Sequence, residues 1–308
     1  MLLFLPAFLR IPLAFLCFIA NTLAHCVPLF ALALVKLLAP VRAIRTLLSR
    51  MLVLIAESWI AVNGFTFRLF SRIEWQVGGD QDLRYEGHYL VLSNHQSWVD
   101  IPVLQRIFNK RIPFLKFFLK QELIWVPVLG LAWWALDFPF MKRHSKEFLD
   151  KHPELRGKDM ETTRRACEKF RHLSVSVMNF VEGTRFSEEK RDAQQSPHLN
   201  LLKPKTGGVA FVLNSMGDIL QSIVDVTIVY PQGRPTFMDM MAGRLQQVRV
   251  LIRELPIPKD LVGGDYENDP AYRERCQRWL AGLWTEKDAL ITRLRTPLAA
   301  PAAPTTAR

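Results

Sequence analysis

The chain has 308 residues, with 40 Lys and Arg against 29 Asp and Glu and a formal net charge of +11. At 49 % hydrophobic and 22 % charged it can bury a sizeable core, which excludes a disordered or collagenous chain. Four widely spaced cysteines (Cys17, Cys26, Cys167, Cys276) form no Cys-x-x-Cys pair, which argues against a disulfide scaffold or a thiolate zinc site. The basic excess suits either nucleic acid or a membrane surface, and its distribution along the chain favours the membrane.

Residues 1–40 are apolar, and the 25 positions between Arg10 and Lys36 carry no formal charge. A bilayer core needs about 20 apolar helical residues, so one span fits. Asn21, His25 and Pro28 near the middle also allow a helical hairpin within the same segment. No small-residue cleavage site precedes Cys26, so the reading is an uncleaved anchor and not a signal peptide. Lys36, Arg42, Arg45 and Arg50 follow, with no acidic residue before Glu57. Positive charge beside a span marks the cytoplasmic side, and each such residue contributes about 1 kcal/mol towards anionic headgroups. Residues 41–72 then read as a basic and apolar helix in which Glu57 and Asn63 favour an interfacial or domain-packed position over a second span.

From Ile73 the pattern becomes that of a soluble α/β domain extending to about residue 255. Residues 73–77 alternate like an edge strand before Gly78-Gly79, while 89–93, 175–181 and 223–230 are short apolar runs of the kind buried in a sheet. Helical patterns lie at 98–108, 159–172 and 206–216. The alternation implies an α/β fold with a mixed sheet flanked by helices. Residues 123–136 are apolar but short, consistent with a buried core helix or an interfacial segment. Residues 185–200 read as a surface loop, 256–296 as a region ending in an amphipathic helix over 270–295, and 297–308 as a disordered tail.

Two stretches carry chemistry. In Asn94-His95-Gln96-Ser97-Trp98-Val99-Asp100 a strand gives way to a helix. On one continuous helix, at about 3.6 residues per turn, His95 and Asp100 would lie about 140° apart. They meet only if His95 sits in the turn before the helix. Asp100 then fixes the imidazole tautomer and leaves the other nitrogen as general base. The plainer alternative is a helix cap, with Ser97 and Asp100 in a capping arrangement and His95 merely packed. The second stretch, Glu182-Gly183-Thr184-Arg185, also follows a strand; Gly183 permits close backbone approach and Arg185 can grip a phosphate through two parallel bonds.

Taken together, and in this order, the two stretches resemble the glycerolipid acyltransferase family, in particular the bacterial inner-membrane type of 1-acylglycerol-3-phosphate acyltransferase. Lys120, Leu123, Pro127 and Gly130, then Phe140-Met141-Lys142-Arg143, then Leu202-Lys203-Pro204-Lys205-Thr206-Gly207-Gly208 resemble further blocks of that family across residues 73–255. Lys142 and Val181 depart from its usual second and third blocks. The resemblance implies a glycerol-3-phosphate acyltransferase-like fold. It implies transfer of an acyl group from acyl-CoA or acyl carrier protein to a lysophospholipid hydroxyl. His95 and Asp100 are then catalytic, and Asn94, Arg143, Glu182, Gly183, Thr184 and Arg185 bind substrate, with Lys120 and Lys205 as secondary candidates. It implies no metal or other cofactor, and the histidines outside the motif show no ligand spacing. Membrane lipids are the expected partners and nucleic acid is not. A membrane-anchored lipid-binding or scaffolding protein with a non-catalytic copy of the fold is the competing reading. A serine hydrolase is disfavoured because no Gly-x-Ser-x-Gly elbow occurs.

Overall fold

The computed structural model describes every residue except 1, 3, 81, 142–169, 172 and 296–308. Arg143, the helix expected over 159–172 (all but its Phe170–Arg171 end) and the C-terminal tail lie outside the described residues. Two long helices open the chain: α1 (Ala7–Leu38) and α2 (Arg42–Phe70). Both are long and apolar enough to cross a membrane. The α1 segment is one unbroken helix through Pro12 and Pro28, not a hairpin within residues 1–40. The polar residues that suggested a break are used between the helices. Buried Asn21 donates to Asn63 Oδ1 at 2.8 Å and to the Trp59 carbonyl at 3.1 Å.

The domain that follows is built on a six-stranded sheet. Its strands are β1 (Glu74–Gly79), β2 (His88–Ser93), β3 (Leu115–Phe117), β6 (Val175–Phe180), β7 (Ser222–Val229) and β8 (Gln247–Leu255), in the order β1-β8-β7-β2-β6-β3. All neighbours are parallel except β7 and β8, so the sheet is mixed as expected. A two-stranded ribbon, β4 (Leu119–Lys120) with β5 (Phe140–Met141), stands apart. Among the described residues the helices that follow are α3 (Asp100–Phe108), α4 (Leu129–Ala135), α5 (Glu188–Ala193), α6 (Thr206–Met216), α7 (Phe237–Met241) and α8 (Pro270–Arg295). One sheet face packs on α6 and α8 through Val209, Leu213, Leu280 and Trp284. The other packs on α3 through Val103, Leu104 and Ile107, together with Ala14 of α1 and Met240 of α7. In α3 the apolar residues recur at helical spacing, and Pro102 sits in the first turn, where its missing N–H is not needed.

The helical pair lies against this domain at both ends of α1. Phe15 and Phe18 meet Phe237 edge-on at centroid distances of 6.0 and 6.1 Å, and Lys36 forms an ion pair with Asp137. Its outer side stays apolar, with Leu16, Ile19, Leu23, Val27, Leu34 and Leu54 exposed.

The segment 123–136 is neither a single core helix nor a wholly interfacial one. A 3₁₀ turn (Gln121–Trp125) and α4 are joined through Val128, which sits at φ 65°. Ala132, Ala135 and Leu136 are buried against α1 and α2, whereas Trp125, Leu131 and Trp134 are exposed. Gly130 is required here, since a Cβ would come within 2.0 Å of the Ile124 carbonyl oxygen. The expected loop at 185–200 contains α5, whose first turn is capped by Ser187 Oγ accepting from the Lys190 N–H.

Candidate active site

Strands β2, β6 and β7 are parallel neighbours and end at the same edge of the sheet, with Ser93 opposite both Phe180 and Val226. Their carboxyl ends therefore deliver three loops to one place, as open α/β sheets commonly do. The first carries His95, the second Glu182 to Arg185, and the third Tyr230. Adjacency of β2 and β6 is what brings the two sequence motifs together.

His95 sits in the turn between Ser93 and α3, and its Nδ1 lies 2.8 Å from Asp100 Oδ2. Asp100 is fully buried and accepts four hydrogen bonds. Oδ2 also takes the backbone N–H groups of Gln96 (2.6 Å) and Ser97 (2.9 Å), and Oδ1 takes the Tyr230 hydroxyl (2.7 Å). A carboxylate with only donors around it stays an acceptor, so Nδ1 carries the imidazole proton and Nε2 keeps the lone pair. Burial first, and the charge of Asp100 next, hold the Tyr230 phenol well above its ordinary pKa, so it remains a donor. The helix begins at Asp100 itself and not near Ser97. Ser97 turns its hydroxyl to the Pro235 carbonyl and accepts from the Val99 N–H, and the helix itself carries no side-chain cap.

The ring of His95 stacks on Phe180 at 3.9 Å between centroids. Its backbone is held on both sides. The N–H donates to Glu182 Oε1 at 2.8 Å, and the carbonyl accepts from the Phe186 N–H at 2.7 Å. The other oxygen of Glu182 accepts the Leu202 N–H at 2.8 Å. Burial raises the Glu182 pKa to about 8, opposing the two N–H bonds that favour its anion.

Asn94 and Glu182, read as substrate-binding, are both completely buried and engaged with backbone groups. Asn94 donates to the Ile228 carbonyl and accepts the Ile228 N–H, each at 2.9 Å. The pairing of β2 with β7 ends at Val226, and the Asn94 side chain takes over the backbone groups two residues beyond. Asn94 thus ties the end of β2 to β7, and Glu182 ties the His95 turn to the Leu202 loop.

The remaining motif residues lie on the rim. Gly183 is exposed at φ 69°, and a Cβ there would come within 2.9 Å of the Lys205 stem, which lies across it. Thr184 Oγ1 accepts from Lys190 Nζ at 3.0 Å, and the Arg185 guanidinium sits 4.4 Å above the Trp98 ring. Arg185, Lys190 and Lys205 thus form a basic rim near the dyad, suited to a phosphate-bearing ligand. Lys120 is exposed on the β4–β5 ribbon. Phe180, Lys190 and Tyr230 were not among the expected site residues. Tyr230 had a visible signal, a phenol at the very end of the largely apolar run 223–230.

A family model described as "Acyltransferase" matches residues 74–231, which span both motifs. The chain is 24 % identical over 245 residues to 1-acyl-sn-glycerol-3-phosphate acyltransferase delta of Rattus norvegicus, covering 72 % of this chain and 59 % of that one. It is 27 % identical over 230 residues to 1-acyl-sn-glycerol-3-phosphate acyltransferase 3 of Arabidopsis thaliana, covering 68 % and 54 %. The chain thus spans little more than half the length of these curated relatives. In structure it resembles the 1-acyl-sn-glycerophosphate (LPA) acyltransferase PlsC of Thermotoga maritima. That match has a TM-score of 0.53 at 18 % identity and covers 96 % of this chain and 100 % of the other, a likeness of fold. With the family model covering half of its length and the motif residues gathered at one sheet edge, this chain belongs to the acyltransferase family.

Proposed function

We propose that the protein transfers a fatty acyl group from a thioester, acyl-CoA or acyl carrier protein, to the free hydroxyl of 1-acylglycerol-3-phosphate, giving phosphatidic acid. The observation that carries this reading is the buried Asp100 fastened to His95 Nδ1, with Nε2 left as the basic nitrogen. In this mechanism Nε2 takes the hydroxyl proton as the oxygen attacks the thioester carbonyl. Asp100 balances the imidazolium that forms. The tetrahedral intermediate then expels the thiolate, which recovers the proton from His95. No acyl-enzyme is needed. Arg185, with Arg143 from the motif outside the described residues, binds the acceptor phosphate, and Gly183 and Thr184 shape that side of the site. The test is purified protein supplied with a panel of lysophospholipids and both donor types, with products identified by mass. Acyl transfer to none of the acceptors overturns the proposal.

Arg185→Ala is expected to raise KM for the lysophospholipid about tenfold or more and to leave KM for the thioester nearly unchanged. A guanidinium fork on the phosphate contributes to positioning that substrate alone. Equal losses for both substrates, in steady-state kinetics, would move Arg185 to a structural or donor-binding role.

In this reading the catalytic domain works at the cytoplasmic face of a bacterial inner membrane, taking its acceptor from the leaflet and its donor from the cytosol. The support is the exposed apolar side of α1 and α2, with Trp125, Leu131 and Trp134 exposed on the segment that packs against them. Because α1 touches the domain near both of its ends, the pair is read as immersed along its length beside the domain. The protein is accordingly expected to stay with membranes through a wash in 1 M salt, where charge attraction is screened within about 3 Å, and to leave in detergent. Release by salt alone would assign the attachment to the basic residues.

A further inference from the structure

The C-terminal helix α8 lies beyond the segment that matches the acyltransferase family model, yet its Trp284 reaches a loop tied to the His95 turn and its Lys287 reaches strand β7. Fully buried Trp284 donates from Nε1 to the Leu202 carbonyl at 3.2 Å. The N–H of the same Leu202 binds Glu182 Oε2, and Glu182 Oε1 binds the His95 N–H, each at 2.8 Å. Three hydrogen bonds therefore run from the helix to the peptide group of the base.

Lys287 is one turn further on and is completely buried. Its ammonium meets Asp225 Oδ1 at 2.6 Å, the Val226 carbonyl at 2.6 Å and Thr227 Oγ1 at 3.2 Å. The ammonium thus donates two hydrogen bonds and forms one ion pair, all with β7. Packing alone does not call for a cation here, because Leu280, Leu283 and Ile291 fill the same helix face. A buried ion pair is also weak as a source of stability, since desolvation offsets most of its attraction. The charge needs another explanation, and its neighbours supply one. Lys287 lies against Asp225 of β7, and the charges of Arg253 on β8 and Glu182 after β6 also act on it. Glu182, which accepts the His95 N–H, in turn feels the opposing charges of Asp100 and Lys287.

We propose that Lys287 and Trp284 are positioning residues that keep Glu182 seated as a carboxylate on the N–H groups of His95 and Leu202, and so hold the base in place. The proposal rests on the reading of His95 as general base. Its sign follows from the charges. Asp100 disfavours the Glu182 anion, and Lys287 favours it. Protonating Glu182 makes one of its two oxygens a weaker acceptor, so one of the two clamps loosens. Removing the cation raises the pH at which this happens. Activity that depends on the ionised form is lost as pH falls through the Glu182 pKa, and without Lys287 the loss begins at higher pH.

The test uses the full chain in lipid nanodiscs, comparing wild type with Lys287→Met for acyl-transfer rate against pH and for hydrogen exchange of residues 94–100 at the same pH values. The acid limb should move up by about one pH unit, as expected for loss of a nearby opposite charge. Exchange in 94–100 should speed up over the same interval. In a Glu182→Gln background the Lys287→Met change should no longer move the limb. Should Lys287→Met fail to fold, the pair Asp225→Asn/Lys287→Met removes the cation with its ion-pair partner, and the same shift is expected. A limb or an exchange profile that stays at its wild-type position overturns the proposal, as does a shift that persists with Gln at 182. A chain that transfers no acyl group would sink the proposed reaction instead, and the exchange measurement would still decide the role of Lys287.

Discussion

His95→Ala is expected to lower acyl transfer by about 10²- to 10⁴-fold, the usual contribution of a positioned general base. The fold should survive the change. The side chain is 13 % exposed, sits at the mouth of the sheet edge and contributes one stacked contact with Phe180. Loss of such an aromatic pair costs about 1 kcal/mol. Asp100 would keep three of its four donors, from Gln96, Ser97 and Tyr230, so the turn and the start of α3 remain tied. Initial rates with a labelled thioester, beside a thermal melt and a membrane-partition assay, separate the two effects. Near-normal turnover by a folded variant would remove His95 from the mechanism. A collapse of the melt would show that it is held for structure.

The same arrangement shows how far the sequence could be read. Strands β2, β6 and β7 announced themselves as short apolar runs because each is buried on both faces between helical layers. Strand β8 is missing from the expected elements although Val248, Val250 and Ile252 alternate with Arg249, Leu251 and Arg253. Its neighbours in the sheet are β1 and β7, and nothing local to residues 247–255 specifies them. The dyad could be anticipated because His95 and Asp100 are separated by one turn whose geometry is restricted. The inward direction of Asn94 and Glu182 could not. Only the tertiary fold brings the Ile228 and Leu202 backbone groups to them.

The helices divide in the same way. The length and apolar character of α1 were visible, but Asn21 looked like a break because its partner, Asn63, lies 42 residues away on α2. In α8 the apolar stripe was visible, and Lys287 sits on it. A lysine on a helix is ordinarily assigned to solvent, and nothing in residues 270–295 reveals the acidic pocket formed by Asp225 on β7. The unreadable parts of the site are polar contacts between segments far apart in the chain. Their partners are set by topology and not by local pattern.

Asp100→Asn should also reduce turnover by about 10²- to 10⁴-fold, and for a reason distinct from that of His95→Ala. The amide can keep the hydrogen bonds. With its carbonyl oxygen in the place of Oδ2 it still accepts from Gln96, Ser97 and the imidazole Nδ1–H. Its NH₂ then stands where Oδ1 was and donates to the Tyr230 oxygen, whose own proton rotates away. The turn is preserved and the negative charge is lost. What suffers is the imidazolium formed as His95 takes the acceptor proton, which would have no counter-charge in a buried pocket. Asp100→Ala tests the other part of the role. It leaves three buried donors besides His95 without an acceptor, each costing about 1–3 kcal/mol, so it should unfold the turn as well as stop catalysis. The measurement is therefore a pair: kcat and denaturant midpoint for both variants. A folded Asp100→Asn with wild-type kcat would show that the carboxylate serves only to cap the helix. An Asp100→Ala protein as stable as wild type would show that the four hydrogen bonds to Asp100 do not hold the site together.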